Sequence, residues 1–348
     1  MEQKLYFICT DNKKPIGGIK QLYRQVDILN NNGFDAYIVH RKKGFRHQWF
    51  QNETKIIYNI SVFNNIDKIF KKRIKPLKAF KNYFRAKNDD PIDPNGVLII
   101  PEIYGPYISS LNEDIKKVIF NQNCYYTFNN CELNEPNSNA VYLDKNFLAS
   151  IVVSEDSKKY LEHVFPDSKT HRIHLGINTD KFKYNKEVKK KQIAFMPRKL
   201  EDDIIQIINI LKIKNNLKNW KFVAIDNKTE DEVATILNES SIFLSLNHRE
   251  GFGLPPAEAM ASGCIVIGYA GQGGKEYFKP EFSFKIDEGN IIQFARKVEE
   301  VAYKLDHDNQ MIIDMPQNAS NYINEHYNLK NEAESIVSTW KNILKLED

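Results

Sequence analysis

Cysteine is scarce: Cys9, Cys124, Cys131 and Cys264 are the only four in 348 residues, with no C-x-x-C spacing and no grouping with the eight histidines. That excludes a disulfide framework and leaves buried thiols in a reducing compartment; a structural zinc is not expected. Long hydrophobic runs are missing as well. The apolar stretch Leu5 to Cys9 is five residues long, which suits a first strand and is too short for a signal-peptide core or a membrane span. Any membrane contact is therefore expected to be peripheral, and the location cytoplasmic. Charge of one sign is lacking too: 49 basic residues against 45 acidic ones leave +4, too little to argue for nucleic acid. No G-x-G-x-x-G dinucleotide fingerprint occurs.

What the chain has is alternation. Short apolar runs such as Leu5 to Cys9, Ala36 to His40, Val97 to Ile100, Val118 to Phe120 and Ser150 to Ser154 read as buried parallel strands. Between the first two, Ile19, Leu22, Val26 and Leu29 recur at three and four residues, one apolar stripe of a helix that Gly33 stops. Strand, helix, strand is the unit of a doubly wound sheet, whose ligands sit at the carboxyl ends of its strands. Gly17 and Gly18, in the loop after the first strand, are placed at such an end. The alternation starts again at Gln192 to Met196 and continues through Lys221 to Ile225 and Ser241 to Leu246; Thr229 and Glu232 have capping-box spacing. The chain is long enough for two full cores, and its fold class is read as α/β, two doubly wound, Rossmann-like domains. The first covers residues 1–176 and the second 177–330, with a tail helix over 331–348 expected to pack on the first. The charged stretch from Ile177 to Lys191 is read as the linker.

The densest signal is Glu250 to Gly263, Glu-Gly-Phe-Gly-Leu-Pro-Pro-Ala-Glu-Ala-Met-Ala-Ser-Gly. It lies between two apolar strands and carries a helix with both ends marked: proline suits the first turn, and Gly263 suits the position past the last. Such a helix presents amides and a partial positive charge to an anion. Glu250 and Glu258, with seven residues between them, one before the helix and one on its first turn or just after, suit hydroxyl donors. Phosphate beside polyols in one molecule means a sugar nucleotide.

One segment differs from all others. Residues 67–87 hold nine basic residues against one acid, interleaved with Ile69, Phe70, Ile74, Leu77, Phe80, Tyr83 and Phe84. Two readings stand side by side: contact of residues 68–87 with an anionic membrane or acceptor, or a solvated helix whose aromatics pack on the core.

Glu250 to Glu258, with the following Ala-Met-Ala-Ser-Gly-Cys-Ile-Val-Ile, resembles the E-x7-E signature of retaining glycosyltransferases of family 4, which have the GT-B fold of two domains facing across a cleft. Gly17-Gly18, Leu175 to Phe182 and Gly273-Gly274-Lys-Glu276 lie in the family's order. The resemblance covers the second domain well and the first in outline. It implies that Glu250 lies against the donor sugar, that Glu258 takes the ribose hydroxyls, and that the amides of Phe252, Gly253 and Leu254, with Gly274, meet the sugar or diphosphate. Arg198 and Lys199 stand where the family places two basic residues against the leaving diphosphate. Here they are adjacent, so their side chains leave the strand end in opposite directions, which favours Arg198 for its fork. The family's histidine near the reacting sugar has no clear counterpart in His40 or His47; Asn121 or Asn123 takes that place. Neither Asp89-Asp90 nor Asp202-Asp203 has the setting of a metal-binding Asp-x-Asp, so no metal and no cofactor are expected beyond the nucleotide-diphosphate sugar itself. The implied reaction is hexosyl or deoxyhexosyl transfer to a glycan or lipid-linked acceptor in surface polysaccharide synthesis, at the inner face of the membrane. A sugar-nucleotide epimerase or hydrolase of the same architecture, or a silent glycan-binding subunit, are the alternatives.

Overall fold

The structure is a computed structural model describing residues 3–14, 16–70, 86–131, 133, 140–198 and 200–346. It divides into two compact units, Met1–Ile173 with Ala333–Asp348, and His174–Glu332.

In the first unit, β1 (Leu5–Ile8), α1 (Gly17–Asn31), β2 (Ala36–His40), β3 (Ile56–Tyr58), α2 (Ile60–Ile69), β4 (Val97–Pro101), β5 (Lys116–Asn121), β6 (Phe147–Val152), α3 (Glu155–Val164) and β7 (Thr170–Arg172) follow in order. The strands form one sheet in the order β3-β2-β1-β4-β5-β6-β7, with parallel neighbours throughout. β1 and β4 are buried along their whole length; strands covered on both faces read as unbroken apolar runs, which is why they were visible in sequence. The stripe of α1 is buried as its spacing implied. Far along the chain, Trp340 of the last helix is fully buried and packs its ring 5.8 Å from that of Phe7.

Between β2 and the basic stretch lie β3 and the start of α2, which the sequence reading leaves unassigned. There Asn59 caps α2 through Val62 N at 2.9 Å, while Asp89 receives the amides of Ile60 and Ser61 at 2.8 and 2.9 Å. Asp90 receives Tyr58 N at 2.7 Å. Both carboxylates are thus engaged with main chain. Of the basic segment 68–87, residues 71–85 lie outside the described residues, as does Lys199.

The second unit contains β8 (Lys190–Phe195), α4 (Glu201–Lys214), β9 (Lys221–Ala224), α5 (Glu230–Glu239), β10 (Ser240–Leu246), α6 (Leu254–Ala261), β11 (Ile265–Tyr269), β12 (Ser283–Lys285), α7 (Ile291–Asp306), α8 (Gln310–Ile313) and α9 (Met315–His326); α10 (Leu329–Leu344) leads back to the first. Its sheet runs β12-β11-β10-β8-β9, again with parallel neighbours. Thr229 and Glu232 form the expected capping box of α5.

The linker reading of residues 177–191 does not survive. The units divide between Ile173 and His174, Ile177 bridges Asn328 within the second unit, and Lys190 already begins β8. The misreading came from charge: Lys190 and Lys191 sit at the exposed start of a strand whose next three residues are buried, so a polar end looked like a linker. Among the described residues no helix is long and apolar enough to cross a membrane.

Candidate functional site

β10 and β11 lie side by side at the middle of the second sheet, and the chain leaves their carboxyl ends in two loops that lock together. The first loop runs from Asn247 to Gly253. The second, after β11, includes a 3-10 turn over Gly273–Glu276. Asn247 is buried and donates from Nδ2 to Ala270 O at 2.8 Å, tying one loop to the foot of the other. Gly273 N then donates to Glu250 O at 3.2 Å, so the main chain of the candidate catalytic glutamate is held from the facing loop.

The approach is close enough to require glycine. A Cβ on Gly253, whose φ is +86°, would fall 2.2 Å from Asn247 Nδ2, and one on Gly273 would fall 1.9 Å from the carbonyl oxygen of Gly251. At Gly274 a Cβ would meet the Tyr277 hydroxyl at 3.2 Å, a milder contact. Gly273→Ala is accordingly expected to displace the Glu250 loop and lower stability by about 1–3 kcal/mol, with Gly274→Ala nearer to wild type. Thermal unfolding of the two variants checks this; equal melting temperatures would remove the steric argument.

Beneath the loops lies Tyr277, fully buried. Its hydroxyl donates to Gly253 O at 2.6 Å and lies 3.0 Å from Phe252 O. Burial pushes that hydroxyl well above its usual range, and Tyr327 and the carboxylates of Glu276, Glu250 and Glu258 add to the shift. It therefore stays a neutral donor, pinning the two carbonyls beneath the start of α6. Phe252 packs its ring 5.2 Å from that of Tyr277 and 5.3 Å from that of Tyr327, fixing the loop from below.

The helix start itself has an unusual first turn. Its N-cap is Gly253 in the left-handed region, no side chain caps it, and proline occupies the first turn. The prolines carry no N–H, so the donors at this end reduce to the amides of Phe252, Gly253 and Leu254, oriented by the positive φ of Gly253. Glu258 is one turn further along, half-buried like Glu250. Glu250, Phe252, Gly253, Leu254, Glu258 and Gly274 are thus gathered at one place. Arg198 is exposed in the turn after β8, the strand paired with β10 on the other side. Asp203 is engaged with the Tyr269 hydroxyl at 2.8 Å.

The remaining candidates belong to the first unit. Gly17 and Gly18 begin α1, whose N-cap Ile16 offers no side-chain bond. The Gln122 amide donates to Gly18 O at 3.1 Å, which brings the residue next to Asn123 against this helix start. Asn123 itself opens a short 3-10 turn by accepting from Tyr125 N. Asn121 is buried and donates to the Thr127 hydroxyl at 2.8 Å, a packing role.

Sequence reasoning missed Asn247 and Tyr277, which shape the loops without belonging to the motif, and no spacing signals them. It also missed a group in the first unit. Cys9 follows β1 and His40 closes β2, and these strands pair in register with Ile8 opposite Val39. His47 joins them from the next loop, so that one side-chain donor atom from each lies within 4.8 Å of the others. Cysteine and histidine that do not cluster along the sequence thus come together in space, because two strand ends adjacent in a parallel sheet are far apart in sequence. The signal was available in the two strand assignments.

Against known proteins, residues 211–315 match the family model "Glycosyl transferases group 1". An alpha-1,6-glucosyltransferase of Actinobacillus pleuropneumoniae serotype 7 is 32% identical over 212 residues, 58% of this chain and 62% of that protein, so the match spans less than two thirds of the relative. Among solved structures, sucrose-phosphate synthase from Thermosynechococcus elongatus superposes with a TM-score of 0.65 at 14% identity, over 99% of this chain and 100% of the other. The HepE protein of Anabaena in complex with UDP-glucose does so with a TM-score of 0.63 at 12% identity, over 98% and 100%. At these identities the likeness is one of fold: two doubly wound units of the GT-B class.

Proposed function

We propose that the protein is a retaining glycosyltransferase that moves a hexosyl group from a UDP-sugar to a glycan or lipid-linked acceptor. The observation that carries this reading is the pair of interlocked loops that sets Glu250 and Glu258 on either side of a helix start capped by no side chain. The group 1 match over residues 211–315, which contains this site, supports it. The glucosyltransferase relative and the neighbour solved with UDP-glucose make glucose the first donor to try.

In this reading the amides at the start of α6, with Arg198 and the adjacent Lys199, stabilise charge growing on the departing diphosphate. Glu250 orients hydroxyls of the donor sugar and faces the positive charge that develops at its anomeric carbon. The acceptor hydroxyl attacks on the face the diphosphate leaves, its proton passing to a phosphate oxygen, so the anomeric configuration is retained. No enzyme nucleophile and no metal take part. Gly17, Gly18 and Asn123 serve substrate on the first unit.

The test is nucleoside diphosphate release from a panel of UDP-sugars with and without glycan acceptors, in the presence of EDTA. Acceptor-dependent release with retained configuration supports transfer. Acceptor-independent isomerisation or hydrolysis, or no turnover with any donor, would replace it with the epimerase or the silent subunit. The basic residues 68–87 suggest an anionic acceptor at the membrane face, as in surface polysaccharide synthesis, in the cytoplasm. Sedimentation with anionic vesicles at low salt is expected to carry the protein down; no binding removes that part of the reading.

A further inference from the structure

The group at the carboxyl ends of β1 and β2 has the chemistry of a metal site. Cys9, His40 and His47 are each buried, at 0%, 0% and 2% exposure, and one donor atom from each lies within 4.8 Å of the other two. Cys9 Sγ is 3.9 Å from His47 Nε2. In a tetrahedral zinc site with a Zn–S bond of about 2.3 Å and a Zn–N bond of about 2.0 Å, those two atoms would be about 3.5 Å apart, so a shift of a few tenths of an ångström closes the site. No other such group occurs among the described residues.

A second observation concerns the shell behind these atoms. Asp11 accepts from His40 Nδ1 at 3.0 Å and is itself fixed by the amides of Arg41 at 3.2 Å and Lys42 at 3.1 Å. A carboxylate holding the far nitrogen of a histidine puts the proton on Nδ1 and leaves the Nε2 lone pair aimed into the cluster, the usual outer arrangement of a metal-bound histidine. In the metal-free chain that lone pair accepts from the Tyr23 hydroxyl at 2.6 Å, a bond that the ion must displace, after which Tyr23 takes a fourth position or leaves it to water. The loop that carries His47 is ordered independently: Arg46 donates to Asn52 Oδ1 at 2.6 Å and to Thr54 O at 3.0 Å.

We propose that Cys9, His40 and His47 form a structural site for a borderline-soft divalent ion of the zinc class, oriented by Asp11 and apart from the transfer chemistry. One thiol and two imidazoles select zinc or cobalt over magnesium or calcium. Binding replaces the Cys9 thiol proton by the metal and releases that proton to solvent. The thiolate and the Asp11 carboxylate together then offset the two charges of the ion, and β1, β2 and the loop through His47 are cross-linked. His47 must at the same time carry its proton on Nδ1, which now accepts from Trp49 Nε1 at 3.3 Å. That bond is lost on binding, and Trp49 emission reports it.

The experiment is titration of the EDTA-treated full chain with Co2+. One ion per chain is expected, with a thiolate-to-cobalt charge-transfer absorption that Zn2+ displaces. Cys9→Ser should abolish the band, Cys131→Ser should leave it, and Asp11→Asn should keep the band while weakening affinity about 10- to 100-fold. No band with wild-type protein and stoichiometric Co2+ overturns the proposal whatever the variants do, as does a band that persists in a folded Cys9→Ser chain.

Discussion

Replacing Glu102 by Gln is expected to make the first unit more stable at pH 8 by several kcal/mol while changing little at pH 4. Glu102 follows β4 at the start of a 3-10 turn and is buried. Its Oε2 has no hydrogen-bond partner. Burial raises its carboxyl to about 8 from an ordinary 4.5, against the opposing pull of amides that include those of Gln122 and Asn123. In the unfolded chain the same group ionises near its ordinary value. Between the two values the folded state therefore holds one proton more than the unfolded state, and stability falls as pH rises, by about 1.4 kcal/mol per unit. Over the whole window that is about 5 kcal/mol, fully retained below the lower value and fully lost above the upper one. Gln has no proton to lose, so the difference between variant and wild type should open across this window and level off above it. Urea unfolding in a Trp220→Phe background measures it, because Trp49 and Trp340 then report the first unit. Parallel pH profiles would show that Glu102 ionises in the folded protein at no cost.

How much of this was legible beforehand follows from the range over which each feature is encoded. The strands β1, β4, β5 and β10 were readable because burial on both faces writes itself into consecutive residues. The capping box at Thr229 and the helix after Glu250 were readable because their chemistry is local, three to eight residues long. Asn247 and Tyr277 were not, since their importance lies in another loop's carbonyls: Tyr277 meets Gly253 across 24 residues and Asn247 meets Ala270 across 23. Lys190 and Lys191 misled because charge at a strand end has the same composition as a linker. Cys9 and His40 come from parallel strands, where neighbours in space are separated by a whole helix; the pairing of the two strands brings their donor atoms within 4.8 Å.

Glu250→Gln is expected to reduce turnover at least ~100-fold with the fold and donor binding largely kept, if the proposed transfer reaction is the activity. The substitution preserves volume and leaves the main chain bonded to Gly273, because that bond uses the Glu250 carbonyl rather than its side chain. What it removes is one of the negative charges that act on the neutral, buried Tyr277; another, Glu258, sits one turn into α6, eight residues further on. A charge placed against the carbon that becomes positive acts in the transition state more than in the ground state, so the loss should appear in kcat and little in the donor's KM. Glu258→Gln supplies the contrast. If its carboxylate takes ribose hydroxyls, which change little during reaction, its loss should raise the donor's KM with a smaller effect on kcat. Steady-state kinetics with the best UDP-sugar, on variants whose melting temperatures match wild type, separate the two roles. Wild-type turnover in Glu250→Gln would remove Glu250 from the chemistry, and an effect confined to KM would make it a binding residue like Glu258.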